Sequence, residues 1–146
     1  MAKARTTPFE LRGIQTHQFA IIDDSFDDTA ETMLQVGVNV GASDEAHIIS
    51  IFFEIRFLSN DRPFILLEIE CQFDIAEKAY ESLYTDDKES LIVPMRLCDH
   101  LGIITVGTAR GILYEKLKDT EFDELILPTI NLTEHFTEDI VLNRAG

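Results

Sequence analysis

The chain has 146 residues, 45% hydrophobic and 27% charged, the composition of one globular domain and too apolar for a disordered segment. Its 12 Lys and Arg stand against 27 Asp and Glu, a formal net charge of −15. Such a charge repels phosphate backbones and anionic membrane surfaces, which argues against nucleic acid as a partner and against membrane insertion, and it attracts basic polypeptide segments.

Met1 to Pro8 carries positive charge without the apolar run of a secretory signal, and no later stretch approaches the roughly 18 apolar residues that span a bilayer. The chain therefore reads as one soluble, cytoplasmic domain over 1–146, with roughly the first eight and last ten residues flexible. Phe9 to Ile22 has mixed periodicity and is read as a first strand, followed by an acidic loop, Asp23 to Thr29, with one aromatic, Phe26. Glu31 to Gly41 then alternates strictly, with Leu34, Val36, Val38 and Val40 on one face.

After a small polar link, Ala42 to Ala46, a second alternating run places Ile49, Ile51, Phe53, Ile55 and Phe57 together. Its other face mixes Phe52 and Leu58 with Glu54 and Arg56. A turn at Asn60 to Pro63 leads into Phe64 to Ile75, with Ile65, Leu67, Ile69, Cys71, Phe73 and Ile75 inward. Short turns between alternating strands predict an antiparallel meander with one buried face.

The period then lengthens. Ala76, Ala79, Tyr80 and Leu83 predict a short helix after Asp74, a candidate N-cap, and Lys88 to Arg110 predicts a longer one, with Pro94 near its start and Gly111 just past its end. Ile112 to Asp123 has no clear period. Leu125 to Leu132, interrupted by Pro128, is an extended apolar tail packed across the domain.

Reactive groups do not cluster. His17, His47, His100 and His135 fall on separate segments, Cys71 and Cys98 form no Cys-x-x-Cys, and the glycines at 102, 107 and 111 follow no strand and precede no Gly-Lys-Ser. Both cysteines read as reduced core or interface residues. The residues themselves therefore predict no catalytic group, metal or other cofactor.

Three short motifs occur in a telling order. Leu91-Ile-Val-Pro-Met95 resembles the apolar-Pro-aromatic opening of the main helix in the bacterial protein-export chaperone SecB family, and Arg110-Gly111 resembles the pair that closes that helix. Leu125-Ile-Leu-Pro-Thr-Ile-Asn131 resembles its terminal Leu-x-Leu-x-Pro-x-Asn signature, with Pro128 one residue early. The resemblance implies an α+β domain: a four-stranded antiparallel sheet with two helices packed on one face.

It also implies an ATP-independent holding chaperone, not an enzyme, that binds unfolded or precursor polypeptides for export. The family assembles as a homotetramer, a dimer of dimers held largely by its long helices, and Met95, Leu101, Gly102 and Gly107 are the candidate interface residues on the helix here. Phe26, Phe52, Leu58 and Phe64 are candidates to line the client groove, the alternative for each being an ordinary core or oligomer contact. Leu66 and Glu68 resemble the family's contact pair for the translocation motor SecA, and with Glu70 they form a candidate docking stripe, although His17, Gln18 and Ile21 stand where the family carries acids.

Two other readings stay open. One is a dedicated chaperone for the antitoxin of a toxin-antitoxin module, and the other is a small-ligand-binding protein or enzyme on the same fold.

Overall fold

The computed structural model describes residues 9–144 and gathers the alternating runs into one four-stranded antiparallel sheet. Its strands are β1 (Phe9–Ile21), β2 (Thr32–Ser43), β3 (Ile48–Ser59) and β4 (Arg62–Ile75), in the spatial order β1-β4-β3-β2. β2, β3 and β4 form the meander. Asn60 and Asp61 reverse the chain between the last two at positive φ, 52° and 62°, a conformation that these two side chains tolerate better than most.

β1 pairs with the far side of β4, so residues 22–31 must cross from one edge of the sheet to the other. That crossing contains a single 3₁₀ turn, Asp23–Ser25. The two edges of the sheet differ in regularity. β2 pairs with β3 continuously from Thr32 to Ser43, whereas β1 carries an extra residue at Arg12 and another at His17.

The helix α2 (Met95–Leu117) packs over β3 and β4 and closes the core. Cys98, Leu101, Thr105, Ala109, Leu113 and Leu117 recur at three- and four-residue spacing along its buried side and meet Ile49 to Phe57 and Ile65 to Ile75 from the sheet. Each Leu or Ile buried in this way contributes about 1.5–3 kcal/mol. Among the described residues no helix is long and apolar enough to cross a membrane.

The helical region departs from the sequence reading in three ways. Ser90–Val93 is a strand, β5, and α2 starts only after Pro94, whose φ of −58° and ψ of 141° are extended. The steric demand of a proline keeps the residue before it out of the helical region, and Leu91 and Val93 alternate with Ser90 and Ile92 as a strand requires. Second, α2 does not stop at Gly111 but runs through it to Leu117, because Leu113 and Leu117 continue the buried stripe.

Third, the short helix α1 (Glu77–Glu81) is a single turn that begins after Ala76, not at Asp74. Asp74 stays in β4, where Arg12 reaches it at 3.2 Å. One main helix, rather than two, therefore covers the sheet. The α+β class stands.

Downstream of α2 the chain packs as an extended tail. Leu127, Leu132 and Phe136 are buried, and Arg110 holds the tail with Nε donating to the Leu127 carbonyl (2.8 Å) and an Nη to that of Pro128 (2.9 Å). Of the two ends expected to be flexible, residues 1–8 lie outside the described residues. In the other, Ile140–Asn143 forms a strand, β6, paired antiparallel with β5, because Ile140 and Leu142 can shelter beside Val93 and Leu91.

Candidate functional site

The crossing after β1, the start of β4 and the turn after α2 converge at one end of the molecule and bring three phenylalanines together. Ring centroids lie 4.8 Å apart for Phe26 and Phe64, 5.0 Å for Phe26 and Phe122, and 5.1 Å for Phe64 and Phe122. Phe64 and Phe122 are buried, and Phe26 is half-buried. The crossing is riveted to the end of β3: the Asp27 N–H donates to Ser59 Oγ (2.9 Å), and that hydroxyl donates to the Asp27 carbonyl (3.0 Å).

The Asp27 carboxylate accepts from Thr29 and from Asn60 Nδ2 (2.8 Å), and the Thr29 bonds lead in holding its carboxyl below the usual 3.8. Phe26 is thereby fixed one residue before a charged anchor. A groove of about 220 Å³ opens over the rings, with Leu125 and Thr32 beside them and Glu121 and Glu124 at the rim. A wider acidic hollow of about 620 Å³ lies on the other side of Phe26 and Phe122, bounded by Asp23, Asp27, Asp28 and Glu121.

An apolar aromatic floor with carboxylates at its edges favours an apolar side chain flanked by positive charge. The groove's polar side chains are the carboxylates of Glu121 and Glu124 and the Thr32 hydroxyl. Among the described residues, no three His, Cys, Asp or Glu side chains are grouped to hold a metal ion.

Of the four candidate groove residues, Phe26 and Phe64 meet here and the other two do not. Phe52 projects from the opposite face of the sheet, where its ring stacks with His17 at 6.1 Å. Leu58 pairs with Met33 on that same outer face, two residues along from the Gln35 and Arg56 pair, and is itself buried. Phe122 and Leu125, which complete the groove, sit in segments whose sequence showed no period that would assign them a face.

The candidate docking stripe lies on the outer face. Leu66 and Glu68 are half-exposed there, and Glu68 sits directly across from Glu54 of β3, whose charge Arg56 meets at 2.6 Å. Glu70 is different, being only 8% exposed and fully engaged. It contacts His17 Nε2 at 2.8 Å and accepts from Ser50 Oγ at 2.8 Å and Gln72 Nε2 at 3.1 Å. Burial alone would raise its carboxyl, but the bonds from His17, Ser50 and Gln72 together outweigh burial and hold it below 4.5.

The helix candidates divide in the same way. Leu101 is in the core, and Gly102 is buried against the chain's own tail, where an added Cβ would come within 2.8 Å of Leu132 Cδ1 and 3.1 Å of Phe136 Cε2. Its small size serves tail packing within the protomer. Gly107 faces outward with nothing within 4 Å of a Cβ, and Met95 is exposed at the helix start. No protein-family model, curated protein or solved structure matches the chain.

Proposed function

We propose that this chain is an ATP-independent holding chaperone that binds non-native polypeptide in the Phe26, Phe64 and Phe122 groove. The single observation that carries the reading is that packed aromatic floor, open to the surface and edged with carboxylates. Burying one client side chain of Phe size there contributes about 1.5–3 kcal/mol, which alone is weak and unselective. Several such contacts along one client raise the affinity through effective concentration, without any sequence requirement.

Assembly supplies the further copies. β1 runs beside α2, with Phe9 against His100 at one end and Lys116 over Phe19 at the other. Leu11 and Ile14 of β1 and Ile103 and Tyr114 of α2 are large apolar side chains left exposed, and Gly107 lies on the same helix with open space above it. That surface supports a homo-oligomer, and a dimer of dimers in this reading, joined in part through α2.

The outer sheet face is the proposed docking site for a basic or zinc-containing peptide of a partner such as SecA, through Leu66 and Glu68, with Glu70 serving mainly to fix His17. Precursor delivery for export is the leading role. Service to one antitoxin would use the same groove.

Light scattering of the protein with a stoichiometric unfolded client tests the holding reading. The wild type is expected to be oligomeric and to suppress client aggregation without nucleotide, and Phe26→Asp, at the half-buried edge of the groove, to lose most of that suppression while retaining its circular dichroism. A wild type that leaves the client to aggregate sinks the proposal, and equal suppression by Phe26→Asp removes the groove from it.

A further inference from the structure

The strand β6 is held in an unusual way. None of the side chains over residues 137–144 is buried, yet Ile140 and Leu142 lie across from Val93 and Leu91, both of which are buried in the core. The other edge of β5 is already taken, with Ile92 N–H bonded to the Leu83 carbonyl (2.8 Å) and Thr85 N–H to that of Ser90 (2.9 Å). β6 thus fills the one edge of β5 left open by that pairing. It also lies across from the end of β2, separated from it by a hollow of about 460 Å³.

Ile140 and Leu142 are only partly covered, so β6 depends on four residues of strand pairing, on Ser90 Oγ donating to Asn143 Oδ1 (2.9 Å), on the Met95 N–H donating to Asp139 Oδ1 (2.8 Å) just before it, and on a clamp at Arg144. Arg144 Nε donates to Asp44 Oδ2 (2.9 Å), an Nη donates to the Lys88 carbonyl (3.0 Å), its N–H to that of Glu89 (3.0 Å), and its guanidinium lies 4.8 Å from the Tyr84 ring centre. The second oxygen of Asp44 accepts from the fully buried Tyr80 hydroxyl at 2.7 Å, which anchors the clamp to the core. Elements with few buried contacts and a short hydrogen-bonded ladder open first.

We propose that β6 is a displaceable strap, and that the β5 edge beneath it is a second polypeptide-binding edge for an extended, uncharged apolar segment. The proposal rests on the holding function inferred above and adds a second point of attachment for the same client. The chemistry of the occupant is written in the strap itself. Ile-Val-Leu-Asn is uncharged and, but for Asn143, apolar; it pairs antiparallel and turns alternate side chains toward the core, as a client strand would in its place.

Hydrogen exchange of the Ser90–Val93 amides in the full chain, with and without a fluorescent peptide spanning Glu138 to Arg144, tests this. Arg144→Ala removes an exposed ion pair and a cation–π contact, so opening, and with it exchange at β5, is expected to rise about tenfold. Asp44→Asn, which leaves β6 unaltered, is expected to act in the same direction, and Arg144→Lys to fall between. The peptide carries its own arginine and is expected to bind Arg144→Ala about tenfold more tightly than wild type and to restore protection.

Unchanged exchange in both Arg144→Ala and Asp44→Asn overturns the strap. Faster exchange without protection by the peptide overturns the acceptor edge, and a doubled mass of Arg144→Ala with no peptide uptake reassigns that edge to exchange of β6 between two copies. If the peptide binds as expected but the wild type does not hold an unfolded client, the strap stands and the holding function falls.

Discussion

Gly102 and Gly107 lie five residues apart on α2, and replacing each with alanine should move stability in opposite directions. Alanine in place of glycine in a helix interior is worth about 0.5–1 kcal/mol from reduced backbone entropy in the unfolded chain. At Gly107 nothing lies within 4 Å of the new methyl, so the protomer should gain that full amount. At Gly102 the methyl would lie 2.8 Å from Leu132 Cδ1 and 3.1 Å from Phe136 Cε2, so the tail must move.

Overpacking of this kind costs about 1–3 kcal/mol, and the flexible end of Leu132 places this site toward the lower half of that range. Net of the helix gain, Gly102→Ala should lose up to about 1.5 kcal/mol. Urea denaturation at low protein concentration, with m compared between variants, measures both. Repeating it at high concentration separates the two roles, since a methyl in an α2 interface should erase the Gly107→Ala gain only where copies associate. Stabilisation by both substitutions would refute the tail-packing account of Gly102.

Arg110→Ala should cost about 1–3 kcal/mol in the same assay, because it leaves the Leu127 and Pro128 carbonyls without their donors, and proteolysis should then cut first within residues 123–131. Cys71 and Cys98 are both fully buried, and burial raises both thiols, Cys98 to about 12, so neither should react with a thiol reagent at pH 8 until denaturant is added. Two carboxyls set an acid limit: Asp44, lowered first by the Tyr80 hydroxyl, and Glu70, lowered by the bonds that outweigh its burial, sit below their ordinary 3.8 and 4.5. A depressed carboxyl stabilises fully above its unfolded value and loses that contribution as pH falls through its folded one, so the advantage of wild type over Asp44→Asn or Glu70→Gln should hold at pH 6 and shrink at pH 3.

The alternation of Leu34 to Val40, Ile49 to Phe57 and Ile65 to Ile75 determined three strands and their buried faces, because side chains on a strand point to opposite sides with a period of two and one side had to leave water. The sequence likewise marked Cys98 as a core or interface residue and the tail around Leu127 and Leu132 as packed, whereas Leu101, a candidate interface residue, lies in the core. Periodicity is a local signal, and it failed where a distant contact made the decision. Ser90–Val93 is a strand because β6, about fifty residues later, and the segment at Leu83 to Thr85 pair with it, and α2 passes Gly111 because the core beyond it still has Leu113 and Leu117 to receive.

The groove was half legible for the same reason. Phe26 and Phe64 stood out as an isolated aromatic in an acidic loop and as the first residue after a turn, but Phe52 belongs to the other face, a matter of register rather than of composition. Phe122 lies in a stretch without period, and only the chain crossing from β1 to β2 brings Phe26 to it. What the tertiary structure alone decided is which apolar residues share a surface, because that depends on strand order and on loops closing over long distances, and neither is encoded in the spacing of neighbours along the chain.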